Sequence, residues 1–396
     1  MRKHPALKIL VAVALAIMSA RAFSSPGGLL TSPRGIYVWD GAWHAGGGAE
    51  TGVTDKSYVV GLSATYNWNA CEPAKGTFTF NVTNCNIAAD IAWATTYGKV
   101  LAIGINAGDM VPSWVASDMN AHGSSAYFTS VFDKSTVSPY TCGTWTAYDA
   151  RDPTYQADLE GLYAQIASTY GTNALITRIG IPGDGEIGEL GSLAWHQGET
   201  LTCTGSGCAS TCGSSGCTCA SNDDVGSWLA LGWTPTSYQT AVETIAGYIA
   251  SQFPNQVVAP YMTSGAAPCI SNSGTRTCAP GSFDGTIQPL IVGDLAMLGY
   301  PNMGAENTGA TSTFYWSPIA QWMPWLWTGA QGASAAGYGA SGMPGHLGLL
   351  LNACAAWDEL YISDLQSAGV QAYLPYEAAM LAAGCGPTHT GRTGTY

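Results

Sequence analysis

Apolar residues along this chain fall into two alternating kinds of segment. Short unbroken runs, rich in β-branched and aromatic residues, occupy 35–39, 58–64, 99–105, 176–181 and 256–262. Each is read as a buried strand. Between them lie stretches with apolar residues at helical spacing. Residues 85–97 place Ile87, Ile91 and Trp93 or Ala94 on one side and stop at Gly98. Residues 155–170 group Leu159, Leu162, Tyr163 and Ile166, with Asp152-Pro153-Thr154 as start and Gly171 as stop. Residues 237–253 form a third helical stretch. Polar or Gly/Ser/Cys-rich loops are expected at 118–150, 197–226 and 264–282. Beyond them the pattern predicts a helix to about 298, a strand at 301–305 and an aromatic helix at 317–328. A glycine-rich loop at 332–345, a strand at 346–352, a helix at 356–368 and a strand at 370–374 complete the chain.

The strands are apolar throughout rather than alternating, which calls for a parallel sheet covered by helices. Eight strand–helix units in one chain predict an α/β fold of the closed (β/α)8, or TIM, barrel type, with disulfide-stapled loop insertions. A doubly wound sheet is the alternative, but no Gly-x-Gly-x-x-Gly turn follows the first strand. There is no P-loop, no Gly-x-Ser-x-Gly elbow and no His-Glu-x-x-His.

Composition adds a destination. Residues 1–25 carry Arg2, Lys3 and Lys8, an apolar stretch and then Ser19-Ala20-Arg21-Ala22, the layout of a secretory signal peptide. Residues 26–396 are then one domain. Removing the leader leaves 9 of the 13 basic residues against all 26 acidic ones, a net charge of −17. Such a surface disfavours nucleic acid and anionic membranes as partners, and no later run is long and apolar enough to span a bilayer. Twelve cysteines in an exported chain imply disulfides. Local pairs are Cys71/Cys85, Cys269/Cys278 and Cys354/Cys385. Cys142, Cys203, Cys208, Cys212, Cys217 and Cys219 are left for three further bridges. Zinc bound by the dense cysteines of 197–226 is the alternative there. The sequence otherwise calls for no cofactor and no metal, and His196 and His346 are read as ordinary polar residues.

The chemistry centres on Ile176-Thr-Arg-Ile-Gly-Ile-Pro-Gly-Asp-Gly-Glu186-Ile-Gly-Glu189, a strand that breaks into glycines and acids. Acids at the C-terminal end of a strand are how a (β/α)8 barrel builds a site. An acid held partly dry there has a raised pKa and can donate a proton at neutral pH. Two motifs carry a resemblance. Trp68-Asn-Ala-Cys-Glu72-Pro73-Ala-Lys-Gly76-Thr-Phe78, followed by Pro112-Ser-Trp114, resembles the barrel glycoside hydrolases, such as their β-galactosidase-like members. Gly180-Ile-Pro-Gly-Asp-Gly-Glu186-Ile is similar to the Gly-x-Gly-Pro-x-Gly-Glu-Leu segment of the β-amylases. The resemblance implies that Glu186 is the general acid, that Glu72 is structural, and that the substrate is a carbohydrate.

Glycoside cleavage needs a second carboxylate as nucleophile or as base for water. Related barrels place it after strand seven, where this reading finds Leu351-Asn352-Ala353 and no acid. Glu306, after the sixth strand, is preferred, and Glu377, at the end of the eighth, is the alternative. Sugar binding also needs aromatic platforms beside amides and acids. Trp39, His44, Asn67, Trp68, Asn106, Trp114, Glu189, Asn307, Tyr376 and Glu377 are the candidates. The missing acid after strand seven also admits a carbohydrate-binding barrel without catalysis.

Overall fold

The computed structural model describes residues 30–39, 56–133, 142–183, 193–194, 202–203, 217–218, 223–262, 266–277, 281–282, 288–308, 325–331, 339–362, 365 and 367–387. Eight strands close a barrel: β1 Gly35–Trp39, β2 Val59–Asn67, β3 Val100–Asn106, β4 Ile176–Ile181, β5 Val257–Met262, β6 Gly304–Thr308, β7 Trp327–Gln331 and β8 Trp357–Tyr361. Each pairs in parallel with its neighbour, and β8 returns to β1 with Gly35 beside Trp357 and Trp39 beside Tyr361. The expected signal segment, His44, Glu186, Glu189 and nearly all of the cysteine-rich insertion lie outside the described residues.

The helices of the first half begin and end where their sequence dictates. In α1, Ile87–Tyr97, the Asn86 side chain accepts from Ala89 N and Gly98 closes the helix at φ 63°. After it comes α2, Ser113–Ala121. Asp152 caps α3, Pro153–Tyr170, by accepting from Thr154 N and Tyr155 N, with Pro153 in the first turn. That helix buries Leu159, Leu162, Tyr163 and Ile166, the predicted face, against the barrel. The expected polar loop at 118–150 instead holds the end of α2 and a hairpin, Tyr127–Asp133 paired antiparallel with Cys142–Tyr148. Next are α4, Asp224–Ala230, and α5, Pro235–Gln252, the latter with a Thr234/Ser237 capping box.

The second half departs from the sequence reading. Helix α6, Gln288–Met297, leads to β6, which covers Gly304–Thr308 rather than 301–305, so Glu306 sits inside the strand. β7 takes Trp327–Gln331, where the aromatic run predicted a helix into 328. Residues 346–352, predicted as a strand, belong to α7, Gly339–Asn352. The predicted helix at 356–368 begins with β8. Residues 370–374 fall in and after a one-turn helix, Ala368–Gln371, and α8, Leu374–Ala382, follows. The run His346-Leu-Gly-Leu-Leu-Leu is apolar enough for a strand, and short apolar runs do not separate buried strand from buried helix. Trp357-Asp-Glu-Leu-Tyr carries two acids and reads as a helix. As a strand, it turns Glu359 into the lumen and Asp358 outward.

Two cores result. The larger lies between barrel and helices. The smaller fills the lower lumen with Tyr37, Ala102, Val257, Ala259, Trp327, Ala356 and Trp357. Cys71–Cys85 and Cys354–Cys385 are disulfides, as paired from the sequence. Cys269 is also disulfide-bonded, and its expected partner Cys278 lies outside the described residues. Among the described residues no helix is long and apolar enough to cross a membrane.

Candidate active site in the barrel lumen

Above the apolar floor, the lumen turns polar around one cation. Arg178 on β4 is 1% exposed. Its Nη2 reaches three strands: Glu359 on β8 in an ion pair, Glu306 Oε2 on β6 at 3.5 Å, and Ser63 Oγ on β2 at 3.4 Å. The guanidinium carbon lies 4.7 Å from the Trp357 ring centre and 5.1 Å from that of Tyr37. A buried guanidinium without counter-charge is prohibitively unstable, so Arg178 and the two acids form one unit. Trp357 Nε1 donates to Glu306 Oε2 at 2.7 Å. Gln331, the last residue of β7, donates from Nε2 to Glu359 Oε2 at 3.3 Å.

Glycines make room for the rings. A Cβ on Gly329 would overlap the Trp357 indole, and one on Gly180 the Tyr261 ring. Tyr261 thus lies across β4, with its phenol pushed above the usual value, chiefly by burial.

Glu306 is wholly buried, which pushes its pKa up to about 7; Arg178 and the Trp357 N–H pull the other way. Among the described residues its Oε1 has no hydrogen-bond partner, and neither do Arg178 Nε and Nη1. The lumen therefore holds a carboxyl poised between its two protonation states, with hydrogen-bonding capacity to spare.

At the C-terminal mouth, Trp39 and Tyr361 meet edge to face with ring centres 4.7 Å apart. Asn67 and Asn106 are register partners at the ends of β2 and β3. Asn106 is committed to the following turn, accepting from Gly108 N at 2.9 Å and donating to Asp109 Oδ1 at 3.0 Å. The Asn67 side-chain oxygen Oδ1 is buried without a hydrogen-bond partner among the described residues. A cleft of about 230 Å³ opens beside Gly108, Asp109, Ser113, Thr146 and Tyr148.

Several sequence-derived candidates are placed elsewhere. Trp68 is fully buried and packs edge-on against Trp114 and Tyr155, so it faces no ligand. Its Nε1 donates to Glu72 Oε2 at 3.1 Å, while Gly76 N donates to Glu72 Oε1 at 2.8 Å. Trp114 Nε1 donates to the Glu72 carbonyl at 3.0 Å. The Trp68–Gly76 motif is therefore a hydrogen-bonded knot around Glu72, not a wall of the site. Tyr376 is 69% exposed on α8, and Glu377 is buried beneath the same helix rather than at a strand end. Both are corrected for the same reason: 370–374 is not a strand. Asn307 follows Glu306 in β6.

Arg178, Glu359 and Tyr361 belong to the site and were not singled out from the sequence. A signal existed for Arg178, a charge amid β-branched residues that must find an acid. Glu359 had none, because its segment read as a helix.

No protein-family model matches the chain, and no curated protein matches it. Among solved structures, the catalytic domain of the β-amylase from Paenibacillus polymyxa is similar with a TM-score of 0.51 at 12% identity, covering 81% of this chain and 91% of that one. The catalytic core of xylanase A gives a TM-score of 0.45 at 9% identity over 85% of this chain and 90% of that one. An intracellular xylanase from Thermoanaerobacterium saccharolyticum gives 0.43 at 10% over 83% and 85%. At these identities the likeness is one of fold, and a barrel of this kind hosts many chemistries.

Proposed function

We propose that this chain is an exported glycoside hydrolase, with Glu186 as general acid and Glu306 as the second carboxylate. The observation that carries this reading is Glu306 itself. It is buried on a barrel strand, held by Arg178 and Trp357, tuned to about 7, and has one oxygen without a hydrogen-bond partner among the described residues. A carboxyl with a displaced pKa inside a barrel is a functional candidate with a physical cause. Glu186 lies five residues beyond the end of β4, the strand that carries Arg178. The Trp39/Tyr361 pair and the Asn67 amide suit the apolar faces and hydroxyls of a sugar ring. The similarity to a β-amylase catalytic domain agrees with this reading, and the disulfides agree with an oxidising, extracellular destination.

A second reading, a carbohydrate-binding barrel without turnover, is favoured by a specific observation. Glu306 and Glu359 have no solvent exposure and share one cation, and β7 ends in Gln331 rather than an acid. Hydrolysis of aryl glycosides and polysaccharides by the wild type, Glu186→Gln and Glu306→Gln decides between them. The hydrolase reading expects wild-type turnover that falls on the order of 10²- to 10⁴-fold in each variant. Glycan binding by calorimetry with no wild-type turnover across the panel establishes the second reading.

A further inference from the structure

On the outer side of β8 a second buried cluster forms, separate from the lumen. Asp358 points from β8 away from Glu359, into the layer between strand and helices. His346 comes from α7 and Glu377 from α8. All three are buried, Asp358 and Glu377 completely. His346 Nε2 lies 2.7 Å from Asp358 Oδ2, and the ligand-capable atoms of the three residues all lie within 4.8 Å of one another.

Two carboxylates beside one imidazole carry excess negative charge in a place where water cannot screen it. Burial and the neighbouring Asp358 push the Glu377 carboxyl well up, and His346 pulls the other way. A shared proton between Glu377 and Asp358 would relieve part of this. It would occupy only one oxygen of Glu377, and among the described residues no N–H or hydroxyl donates to either oxygen. A wholly buried acid that no N–H or hydroxyl of the described residues reaches, set close to an imidazole nitrogen and a second carboxylate, has the chemistry of an incomplete coordination shell.

We propose that His346, Asp358 and Glu377 bind a divalent transition-metal ion of the zinc class, with one nitrogen and two carboxylate donors. An ion about 2 Å from each donor needs them no more than about 4 Å apart, so carboxylate rotation of an ångström or less closes the set. The ligands come from three elements near the end of the chain, α7, β8 and α8. The ion therefore ties the last barrel strand, which seals against β1, to the helices on either side. Its role is structural, and it lies on the opposite face of β8 from the candidate active site.

The test uses the full-length protein, freed of metal with a chelator and then offered Zn²⁺ alone. The expected result is one equivalent bound per chain with a rise in Tm, and loss of that equivalent in Glu377→Gln. Co²⁺ in the wild type supplies a readout that does not need the variant to fold. Weak d–d bands without a thiolate charge-transfer band are expected for N/O ligands. Three results would overturn the proposal: no Zn²⁺ retained by the wild type, an equivalent kept by Glu377→Gln, or a strong thiolate band placing the ion on cysteines.

Discussion

Trp357 Nε1 on β8 donates to Glu306 Oε2 on β6 at 2.7 Å, passing over β7 between them. Gly329 of β7 is the register partner of both residues, and only its missing side chain leaves the indole room to cross. Gly329→Ala therefore displaces the indole from its acceptor. The expected cost is about 1–3 kcal/mol of overpacking plus a buried hydrogen bond, measured by chemical denaturation. A change below about 0.5 kcal/mol would show that the indole does not need that space.

Glu306 gives stability a predictable pH dependence. Its folded-state pKa of about 7 lies above the ordinary 4.5, so the folded protein holds the extra proton between those values. Stability falls as pH rises through that window and levels off above it, by about 3 kcal/mol for this one group. Glu243 on α5 is pushed up to about 7 as well, so wild type alone does not isolate the effect. The readout is the difference in unfolding free energy between wild type and Glu306→Gln across pH 4.5–8. The substitution is expected to become relatively more favourable as pH increases, and a flat difference would refute the assignment.

In the proposed hydrolase the same group is expected to set the activity profile. As nucleophile or base, Glu306 must be ionised, so kcat/KM is expected to rise with pH through an apparent value near 7. Trp357→Phe removes the N–H that favours the ionised form and should move that limb to higher pH. An unmoved limb would mean that another group controls it.

Arg178 is the counter-charge of the lumen. Arg178→Met leaves Glu306 and Glu359 buried without a cation, at an expected cost of about 3–5 kcal/mol at pH 7.5. Adding Glu359→Gln should recover a large part of it, because the double variant buries one negative charge fewer. Arg178→Lys should not rescue fully, since a lysine ammonium cannot span two acids and stack on Tyr37 and Trp357 as the planar guanidinium does. Full recovery by lysine would assign the role to charge alone.

The Cys71–Cys85 disulfide closes a short loop around the Glu72 knot. Replacing both cysteines by alanine is expected to cost about 3 kcal/mol, measured under non-reducing conditions. Equal stability of variant and wild type would show that the knot holds without the bridge.

The first half of the barrel was legible in the sequence because its strands are unbroken apolar runs and its helices carry explicit end signals, as at Asp152, Gly98 and Pro153. Local chemistry decided those elements, and it also paired Cys71 with Cys85 and Cys354 with Cys385. The second half was not legible, for a reason specific to this barrel. Glu359 and Glu306 are core residues only because Arg178, far away in sequence, neutralises them. A strand bearing acids therefore looks like a solvated helix until its counter-charge is in place. Conversely, the leucines of α7 look like a strand because nothing local tells a buried helix from a buried strand. Sequence alone determined the alternation, the parallel barrel it requires and the acid-bearing end of β4. Closure of the ring determined the rest: burying Arg178 demands opposite charge at short range, and only the folded barrel brings β4, β6 and β8 to a common centre.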